Sequence, residues 1–377
     1  MFQAPYRAAV IGRTGRGNYG HDLDLALLEQ PKLRLVAVAD EDPKGLASAA
    51  RRLGVEKTYA DYRAMLDREK PEFVAVTPRW IDCHREMILA CAERGIHVFC
   101  EKPLAPTLAD CDAIVTACER SHTKLAIAFQ TRYSPRFARV REMIAAGAIG
   151  DVLEIRGRGK EDNRGGGEDL MVLGAHVVDL FRALLGEASW CFARVTEVGR
   201  PVGPAEVRAG AEGIGPLAGD RIDAMYGFAK HSVVAYFATT RQKQSGGRFG
   251  LQILGTSGRI ELGTGWLPNA FLLADPTWSG ISGASKWIQI TSAGVGKPEP
   301  LPGNRLLDGN RVIVADLIRA VETDTQPLAS VYDGRAAIEM ILGSYTSHRR
   351  GGLVQIPLAD RLHHPLEAMA GLQKLSN

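Results

Sequence analysis

The chain lacks several features that would have assigned it to other classes of protein. No apolar run approaches the ~18 residues that span a bilayer, and Met1 to Arg7 contains no charged and apolar leader typical of a secretion signal. We therefore expect no membrane partner. Basic residues are scattered, with 46 basic against 43 acidic residues and a net charge of +3. The long basic blocks of a nucleic-acid-binding protein are absent, so no nucleic-acid partner is expected.

Cysteine is scarce and irregularly spaced. The six cysteines form neither a Cys-x-x-Cys pair nor the regular spacing of a disulfide framework. They are interpreted as small buried hydrophobic residues of a protein in a reducing compartment, so a cytoplasmic location is predicted. No metal site is predicted.

What is present indicates an α/β protein of more than one domain. A length of 377 residues is large for one core. From Tyr6 to about Phe129, short β-branched runs alternate with helical stretches, which predicts a doubly wound parallel sheet. The predicted strands are Arg7 to Ile11, Leu33 to Ala39, Phe73 to Val76, Ile96 to Cys100 and Leu125 to Phe129. The predicted helices are Leu23 to Gln30, Gly45 to Leu53, Tyr62 to Arg68, Asp82 to Arg94 and Leu108 to Ser121.

After residue 129 the pattern changes to consecutive strands separated by glycine-rich turns, which predicts a large, mostly antiparallel open sheet. A long helix is expected from Asp169 to Leu185, and two more at Arg311 to Glu322 and Asp333 to His348. Pro201 to Gly219 and Trp278 to Pro302 are predicted to be loops. The domains are thus 1–128 and 129–377, with the C-terminal helices packing back toward the first.

A glycine-rich segment follows the first strand and predicts a dinucleotide site. Gly15-Arg16-Gly17-Asn18-Tyr19-Gly20 fits the Gly-x-Gly-x-x-Gly pattern, in which glycines let backbone amides approach a pyrophosphate. Asp40 ends the second strand about twenty residues later, where an acid binds the ribose 2′-hydroxyl. The acids at 40–42 would repel a 2′-phosphate, so NAD is favoured over NADP. Residues in or beside this site are predicted to bind the cofactor: Gly12, Thr14, Gly15, Arg16, Gly17, Asn18, Asp40, Thr77, Pro78, Arg79, Trp80, His84, Glu101, Lys102 and Gln130.

Lys102 is the strongest catalytic candidate. It follows an apolar strand and lies between Glu101 and Pro103, at the carboxyl edge where open α/β sheets bind ligands. An ammonium there can polarise a substrate hydroxyl, whereas the simpler alternative is an ion pair with Glu101. His176 lies in an apolar helix and is either a core residue or a general base. Asp179, three residues later, could orient it.

These motifs resemble the Gfo/Idh/MocA oxidoreductases, named for glucose-fructose oxidoreductase and inositol dehydrogenase. The resemblance covers nearly the whole chain, and its most specific element is Glu101-Lys102-Pro103-Leu104-Ala105. Further matching segments are Thr77-Pro78, Phe129-Gln130-Thr131-Arg132-Tyr133, Gly147-Ala148-Ile149-Gly150, Gly174-Ala175-His176 with Asp179, and Val331-Tyr332-Asp333-Gly334.

The resemblance implies an amino-terminal Rossmann domain that binds NAD or NADP, and a second domain whose open sheet forms a dimer or tetramer interface. It also implies that Lys102 and His176 flank a sugar or cyclitol carbon that exchanges hydride with nicotinamide. An aspartate that the family usually has four residues before the histidine is here Val172. Asp169 could take over part of its role, and the predicted substrate-binding residues are Arg132, Tyr133, Lys160, Asp162, Arg164, Asp169 and Asp179.

The missing aspartate leaves two rival functions open. One is a redox-neutral enzyme that retains its NAD and cleaves or epimerises a glycoside through transient oxidation. The other is a non-catalytic NAD-dependent sensor, which the presence of both Lys102 and His176 disfavours.

Overall fold

The computed structural model describes residues 5–277 and 286–371, and the chain forms two compact units. Unit 1 comprises Met1–Gln130, Ala211–Gly215 and Arg305–Arg335. Unit 2 comprises Thr131–Gly210, Pro216–Asn304 and Ala336–Asn377. Two later segments of the chain thus belong to unit 1 together with its amino-terminal part.

The secondary structure elements are numbered in chain order. The α-helices are α1 (Pro43–Leu53), α2 (Tyr62–Glu69), α3 (His84–Ala92), α4 (Leu108–Ser121), α5 (Pro135–Ala145), α6 (Gly167–Val172), α7 (Gly174–Leu185), α8 (Leu306–Glu322), α9 (Val331–Arg350) and α10 (Pro365–Met369). The strands are β1 (Tyr6–Ile11), β2 (Leu33–Ala39), β3 (Thr58–Tyr59), β4 (Phe73–Val76), β5 (His97–Cys100), β6 (Leu125–Ile127), β7 (Val152–Arg158), β8 (Ala188–Glu197), β9 (Arg200–Pro201), β10 (Arg208–Ala209), β11 (Pro216–Leu217), β12 (Arg221–Phe228), β13 (His231–Thr240), β14 (Gly250–Gly255), β15 (Arg259–Gly263), β16 (Ala270–Leu273), β17 (Ile288–Thr291), β18 (Gly294–Val295) and β19 (Val354–Gln355).

Unit 1 contains a six-stranded parallel sheet in the order β3-β2-β1-β4-β5-β6. Its central strands are mostly apolar because helices cover both faces of such a sheet, and all four residues of β4 are apolar and buried. The order reverses between β1 and β4, and the carboxyl ends of the strands share one edge. That edge is where a doubly wound fold binds ligands. The predicted fold class is confirmed.

The predicted helix from Leu23 to Gln30 is wrong. Only a 3-10 turn, Leu25–Leu27, forms there, and Asp22 and Glu29 on either side have positive φ angles of 61° and 62°. Helix α8, nearly three hundred residues later, packs against this segment. Asn310 of α8 donates its side-chain amide to the His21 carbonyl at 2.7 Å, so contacts with a distant helix replace those that a local helix would make.

Unit 2 contains a mixed sheet whose main path runs β18-β17-β16-β15-β14-β7-β13-β12-β8-β19. Opposing residues on neighbouring strands share a face, which gives two rows across the sheet. One row is buried: Cys191, Tyr226, Ala235, Ile155, Ile253, Ile260 and Leu272. The other is partly exposed: Phe192, Met225, Tyr236, Arg156, Gln252, Glu261 and Phe271.

Helices α7 and α9 cover the buried face of this sheet. A side chain at Gly157 would overlap Val177 and Phe181 of α7, and the Tyr226 hydroxyl contacts Ser344 of α9 at 2.7 Å. The predicted helix from Asp169 to Leu185 is two helices, α6 and α7, separated at Leu173.

The two segments that were predicted to be loops both contain short strands. The segment Pro201 to Gly219 contains the hairpin formed by β10 and β11. The segment Trp278 to Pro302 contains β17 and β18, while residues 278–285 lie outside the described residues.

Membrane-spanning helices and metal-ligand clusters are both absent from the described residues. Among residues 5–277 and 286–371, no helix is both long and apolar enough to cross a bilayer. The same residues contain no group of three or more His, Cys, Asp or Glu side chains that could hold a metal ion. Each of the six cysteines is a buried, free thiol.

Candidate active site

The glycine loop after β1 is a tight turn closed on itself. Arg13 and Asn18 exchange backbone hydrogen bonds of 3.2 and 2.9 Å. Gly15 and Gly17 both have positive φ angles, of 81° and 93°, which favour glycine. A Cβ atom on Gly17 would lie 2.3 Å from the Arg79 backbone nitrogen, whereas one on Gly15 would meet no atom within 4 Å. The loop therefore packs closely on the turn after β4 at Gly17 and leaves an open cradle at Gly15.

Asp40 is placed at the end of β2, as predicted, but its carboxylate faces the glycine loop. It accepts hydrogen bonds from the Thr14 amide at 3.1 Å, the Thr14 hydroxyl at 2.7 Å and the Tyr19 hydroxyl at 2.8 Å. The Tyr19 ring in turn lies against Gly12, where an added Cβ would overlap it. Only 2% of Asp40 is exposed. Its carboxylate therefore holds the glycine loop in place through Thr14 and Tyr19.

The turn after β4 carries the predicted residues Thr77, Pro78, Arg79 and Trp80. The Thr77 hydroxyl donates to the Ile11 carbonyl at 2.8 Å, which joins β4 to β1. Arg79 forms an ion pair of 3.4 Å with Glu212 of the segment Ala211–Gly215, within unit 1. The Arg16 guanidinium lies 5.0 Å from the Trp80 ring centroid and pairs with Asp82.

His84 is fully buried, and both nitrogens of its ring contact backbone carbonyls. Its Nε2 lies 2.7 Å from the Pro78 carbonyl, and its Nδ1 lies 3.1 and 3.2 Å from the carbonyls of Pro103 and Leu104. Burial lowers the pKa of this imidazole, against the opposing effect of those carbonyls. His84 therefore links the turn after β4 to the turn after β5, and both of its ring nitrogens are occupied by these contacts.

Glu101 and Lys102 form the centre of the candidate site in unit 1. Glu101 is 1% exposed and Lys102 is 6% exposed. One Glu101 carboxylate oxygen accepts the Lys102 amide at 2.6 Å, and the other pairs with His21. Burial alone would raise the pKa of Glu101, but His21 and Lys102 outweigh it and lower that pKa to about 2. An ionised carboxylate at neutral pH thus holds the backbone of Lys102.

Two residues that hold this centre, His21 and Asn310, were not predicted from the sequence. Gln130 donates to the Asn310 side chain at 2.9 Å, and Asn310 donates to the His21 carbonyl at 2.7 Å. His21 directly follows Gly20, so its position next to the glycine loop was an available signal. Asn310 lies on α8, far along the chain, and no local pattern indicated it.

In unit 2, His176 lies in the first turn of α7, which begins at Gly174. Its ring is half-buried, 6.3 Å from the ring of Phe249 and nearly perpendicular to it. Asp179, predicted to orient this histidine, forms a buried ion pair of 3.4 Å with Arg132. Arg132 and Tyr133 both belong to the 3-10 turn Gln130–Tyr133.

The loop between β7 and α6 carries the other predicted substrate residues. Asp162 forms ion pairs with Lys160 at 3.3 Å and with Arg164 at 3.1 Å. Burial would raise the pKa of Asp162, but Arg164 and Lys160 lower it to about 2. Lys160 is the most exposed of the three side chains, at 42%, so this loop presents charge to its surroundings.

The carboxylate of Asp169, the residue predicted to take over part of the role of the missing aspartate, is occupied by its own chain. It is fully buried, and its carboxylate accepts the Lys160 and Glu161 amides at 3.1 Å each. The Thr239 hydroxyl also donates to it. Burial raises its pKa. Asp169 therefore fixes the loop that carries Lys160, and Val172 at the family position is itself buried.

The residues of unit 1 fit a dinucleotide. The glycine loop lies at the point where the strand order reverses, and the space next to Gly15 lets a ligand approach the backbone. The ionised Glu101 keeps Lys102 beside the same edge of the sheet.

Comparison with known proteins agrees with this geometry. Residues 6–129 match the oxidoreductase family with an NAD-binding Rossmann fold, and residues 137–261 match the GFO/IDH/MocA C-terminal domain. Levoglucosan dehydrogenase of Pseudarthrobacter phenanthrenivorans is 29% identical over 66% of this chain and 72% of its own length. Myo-inositol 2-dehydrogenase of Thermotoga maritima is 30% identical over 47% of this chain and 55% of its own.

A solved structure, levoglucosan dehydrogenase in complex with NADH, has the same fold. Its TM-score is 0.74 at 23% identity, and the match covers 94% of this chain and 100% of that one. The two family models together account for most of the chain, and both of the units described above lie within the match. The chain therefore belongs to the Gfo/Idh/MocA family and is an oxidoreductase with an NAD-binding Rossmann domain.

Proposed function

We propose that this enzyme transfers a hydride between NAD and a hydroxyl-bearing carbon of a sugar, sugar acid or cyclitol. The observation that carries the proposal is Lys102, held by the buried carboxylate of Glu101 at the carboxyl edge of an NAD-binding sheet. The substrates named for the relatives, levoglucosan and myo-inositol, support the substrate class.

The catalytic roles proposed for Lys102 and His176 follow from their chemistry. NAD, when bound, accepts or returns the hydride. The Lys102 ammonium binds the reacting hydroxyl and stabilises negative charge on its oxygen. The His176 imidazole, which can gain or lose a proton near neutral pH, exchanges the hydroxyl proton. Residues 1–128 supply cofactor binding, and residues 129–377 supply substrate binding and subunit contacts.

The charged loop before α6 is the proposed source of substrate specificity. Lys160, Asp162 and Arg164 are partly exposed and suit a ligand rich in hydroxyl groups, since charged groups form strong hydrogen bonds with them. Arg132 and Tyr133 are proposed to contact the substrate as well. Asp169 and Asp179 support these residues from buried positions.

We also propose that the open face of the unit 2 sheet joins copies of this chain into a homodimer or homotetramer. Phe192 and Trp287 are 45% and 41% exposed, and the row from Phe192 to Phe271 offers arginine, glutamate and aromatic side chains together. Exposed apolar faces of this kind are typical of protein interfaces.

A cytoplasmic location is proposed for the enzyme. Its support is the chemistry of the cysteines, all six of which are buried and free. Free thiols in this number suit a reducing compartment. Cell fractionation of the producing organism tests the location.

The function is tested by incubating the purified protein with NAD and a pooled library of sugars, glycosides and cyclitols. Products are followed by mass spectrometry while NADH is followed by absorbance. We expect NADH to appear in step with a product two hydrogens lighter than its substrate. Cleavage or epimerisation without net NADH would replace the dehydrogenase by the redox-neutral enzyme, and tight NAD binding without any turnover would favour the sensor.

A further inference from the structure

The segment Ala211–Gly215, here called the tip, connects β10 to β11. It belongs to unit 1, whereas both strands belong to unit 2. Three of its residues have positive φ angles: Glu212 at 55°, Gly213 at 67° and Gly215 at 79°. This conformation is uncommon for glutamate, because a side chain in the left-handed region is strained. The contacts of the tip must therefore stabilise its backbone.

The tip packs on the turn after β4, which was predicted to bind the cofactor. The Ile81 amide donates to the Glu212 carbonyl at 3.2 Å. The Glu212 carboxylate forms an ion pair of 3.4 Å with Arg79. A Cβ atom on Gly213 would lie 2.6 Å from the carboxyl carbon of Asp82. A backbone hydrogen bond, an ion pair and close packing thus hold the tip on this turn.

The tip also reaches the loop between β5 and α4. A Cβ atom on Gly215 would lie 3.7 Å from the Cβ of Pro106, which is an ordinary contact. Ile214, between these glycines, is only 1% exposed. The turn after β4 and the loop after β5 both follow the carboxyl ends of parallel strands, where a doubly wound sheet binds its ligand. The tip therefore spans two neighbouring connections at that edge.

The turn after β4 contacts the glycine loop as well. The Arg79 amide donates to the Gly17 carbonyl at 3.2 Å. The guanidinium of Arg16 lies 5.0 Å from the Trp80 ring centroid and pairs with the Asp82 carboxylate. Asp82 is thus in contact with both the glycine loop and the tip. A movement of the tip would therefore reach the glycine loop through this one turn.

We propose that the tip is a clasp that keeps the dinucleotide bound, and that Glu212 is the positioning residue that closes it by holding Arg79. The proposal rests on NAD binding by unit 1. The tip holds the turn after β4 against the glycine loop, so release of the cofactor requires this contact to loosen. Release of the reduced cofactor is a step of every net oxidation, and product release limits the turnover of many enzymes. The tip therefore sets the rate at which the cofactor is exchanged.

The test measures the rate at which NADH dissociates from the full chain without substrate. Bound NADH is displaced by excess NAD in a stopped-flow fluorimeter. In Glu212→Gln we expect release to be about two- to fivefold faster, which is the usual effect of one partly exposed ion pair. Added salt should narrow the difference between this variant and the unchanged protein, because salt screens the ion pair. A merely structural role for Glu212 would not give that dependence on salt.

Gly213→Ala tests a different contact of the tip. Its Cβ would overlap Asp82, so the tip must move away from the turn, and we expect release to be about tenfold faster. Glu206→Gln is the matched control, because this carboxylate lies just before β10 and accepts the Gly203 amide at 2.7 Å. It should leave the rate unchanged.

Unchanged release in both tip variants would overturn the proposal. An equal increase in Glu206→Gln, or an effect of Glu212→Gln that salt leaves constant, would overturn it too. Failure of the unchanged protein to bind NADH would instead contradict the cofactor assignment.

Discussion

At the scale of single residues, Lys102 and the glycine loop are held by two different carboxylates. Lys102 is held by the carboxylate and backbone of Glu101, whereas the glycine loop is held by Asp40. These are separate hydrogen-bond networks within unit 1. A substitution in one network should therefore leave the structure of the other network unchanged.

Lys102→Met should lower kcat by about a thousandfold, because a positioned acid–base group contributes about 10²–10⁴-fold to a rate. Its dissociation constant for NADH should stay within about threefold of that of the unchanged protein. Steady-state kinetics and fluorescence titration measure the two quantities. Lys230→Met, at an exposed lysine of unit 2, controls for the loss of a positive charge. If Lys102→Met kept most of its turnover, the proposed catalytic role would be wrong.

Glu101 should make the stability of the protein depend on pH. Its pKa is about 2 in the folded state, against 4.5 as the ordinary value. The stabilisation is therefore fully present above pH 4.5 and is lost as the pH falls toward 2, and its size is on the order of 3 kcal/mol. We expect Glu101→Gln to unfold at lower urea concentration than the unchanged protein at pH 7, and the difference to shrink as the pH falls from 4.5 toward 2.

Urea unfolding over that pH range measures the effect, with Glu56→Gln as the exposed control. A difference between Glu101→Gln and the unchanged protein that stays constant with pH would show that Glu101 is not ionised as described.

At the scale of elements, the glycine loop depends on two glycines for different physical reasons. Gly15 and Gly17 share a positive φ, so alanine at either position is strained by about 1 kcal/mol. Only at Gly17 does the added Cβ also meet backbone, at 2.3 Å from the Arg79 nitrogen. The loop and the turn after β4 would have to separate to admit it.

Gly17→Ala should therefore lower the free energy of unfolding and the affinity for NADH more than Gly15→Ala does. The difference in unfolding free energy should be about 1–3 kcal/mol, the usual result of overpacking. Urea unfolding and NADH titration of the two variants compare them directly. Equal losses in both would mean that the loop does not pack on Arg79 as described.

At the scale of the whole molecule, the large sheet of unit 2 has one face covered by α7 and α9 and the other face open. The open face is continuous from β8 to β16, which is a large area for a monomer to expose. This asymmetry is the basis for the proposed assembly of several copies.

Phe192→Asp places a charge at the β8 end of the open face and should shift the protein from a dimer or tetramer to a monomer. Light scattering coupled to size exclusion measures the mass. Leu362→Asp is the matched control, since Leu362 is 76% exposed and does not belong to the sheet. An unchanged mass in Phe192→Asp, or a monomeric unchanged protein, would rule out this face as the interface.

The sequence by itself determined the local features of this protein. Apolar runs in the sequence predicted β1, β2, β4, β5 and β6. A strand that is buried on both faces of a sheet must be apolar along most of its length. The motif at 101–105 and the glycine loop identified the family, since both are short and contiguous in the chain. Lys102 and His176 were singled out on the same local evidence.

Only the tertiary structure decided the roles that depend on distant partners. Helix α8 packs where a helix from Leu23 to Gln30 was expected, and Asn310 joins the network at His21. Asp40 and Asp169 both proved to hold loops, because hydrogen bonds from Tyr19 and Thr239 bind their carboxylates in the folded chain. A carboxylate can bind a ligand only where the folded chain leaves one of its acceptor positions open. Which positions are filled depends on residues that are distant in the sequence, so the local pattern does not predict it.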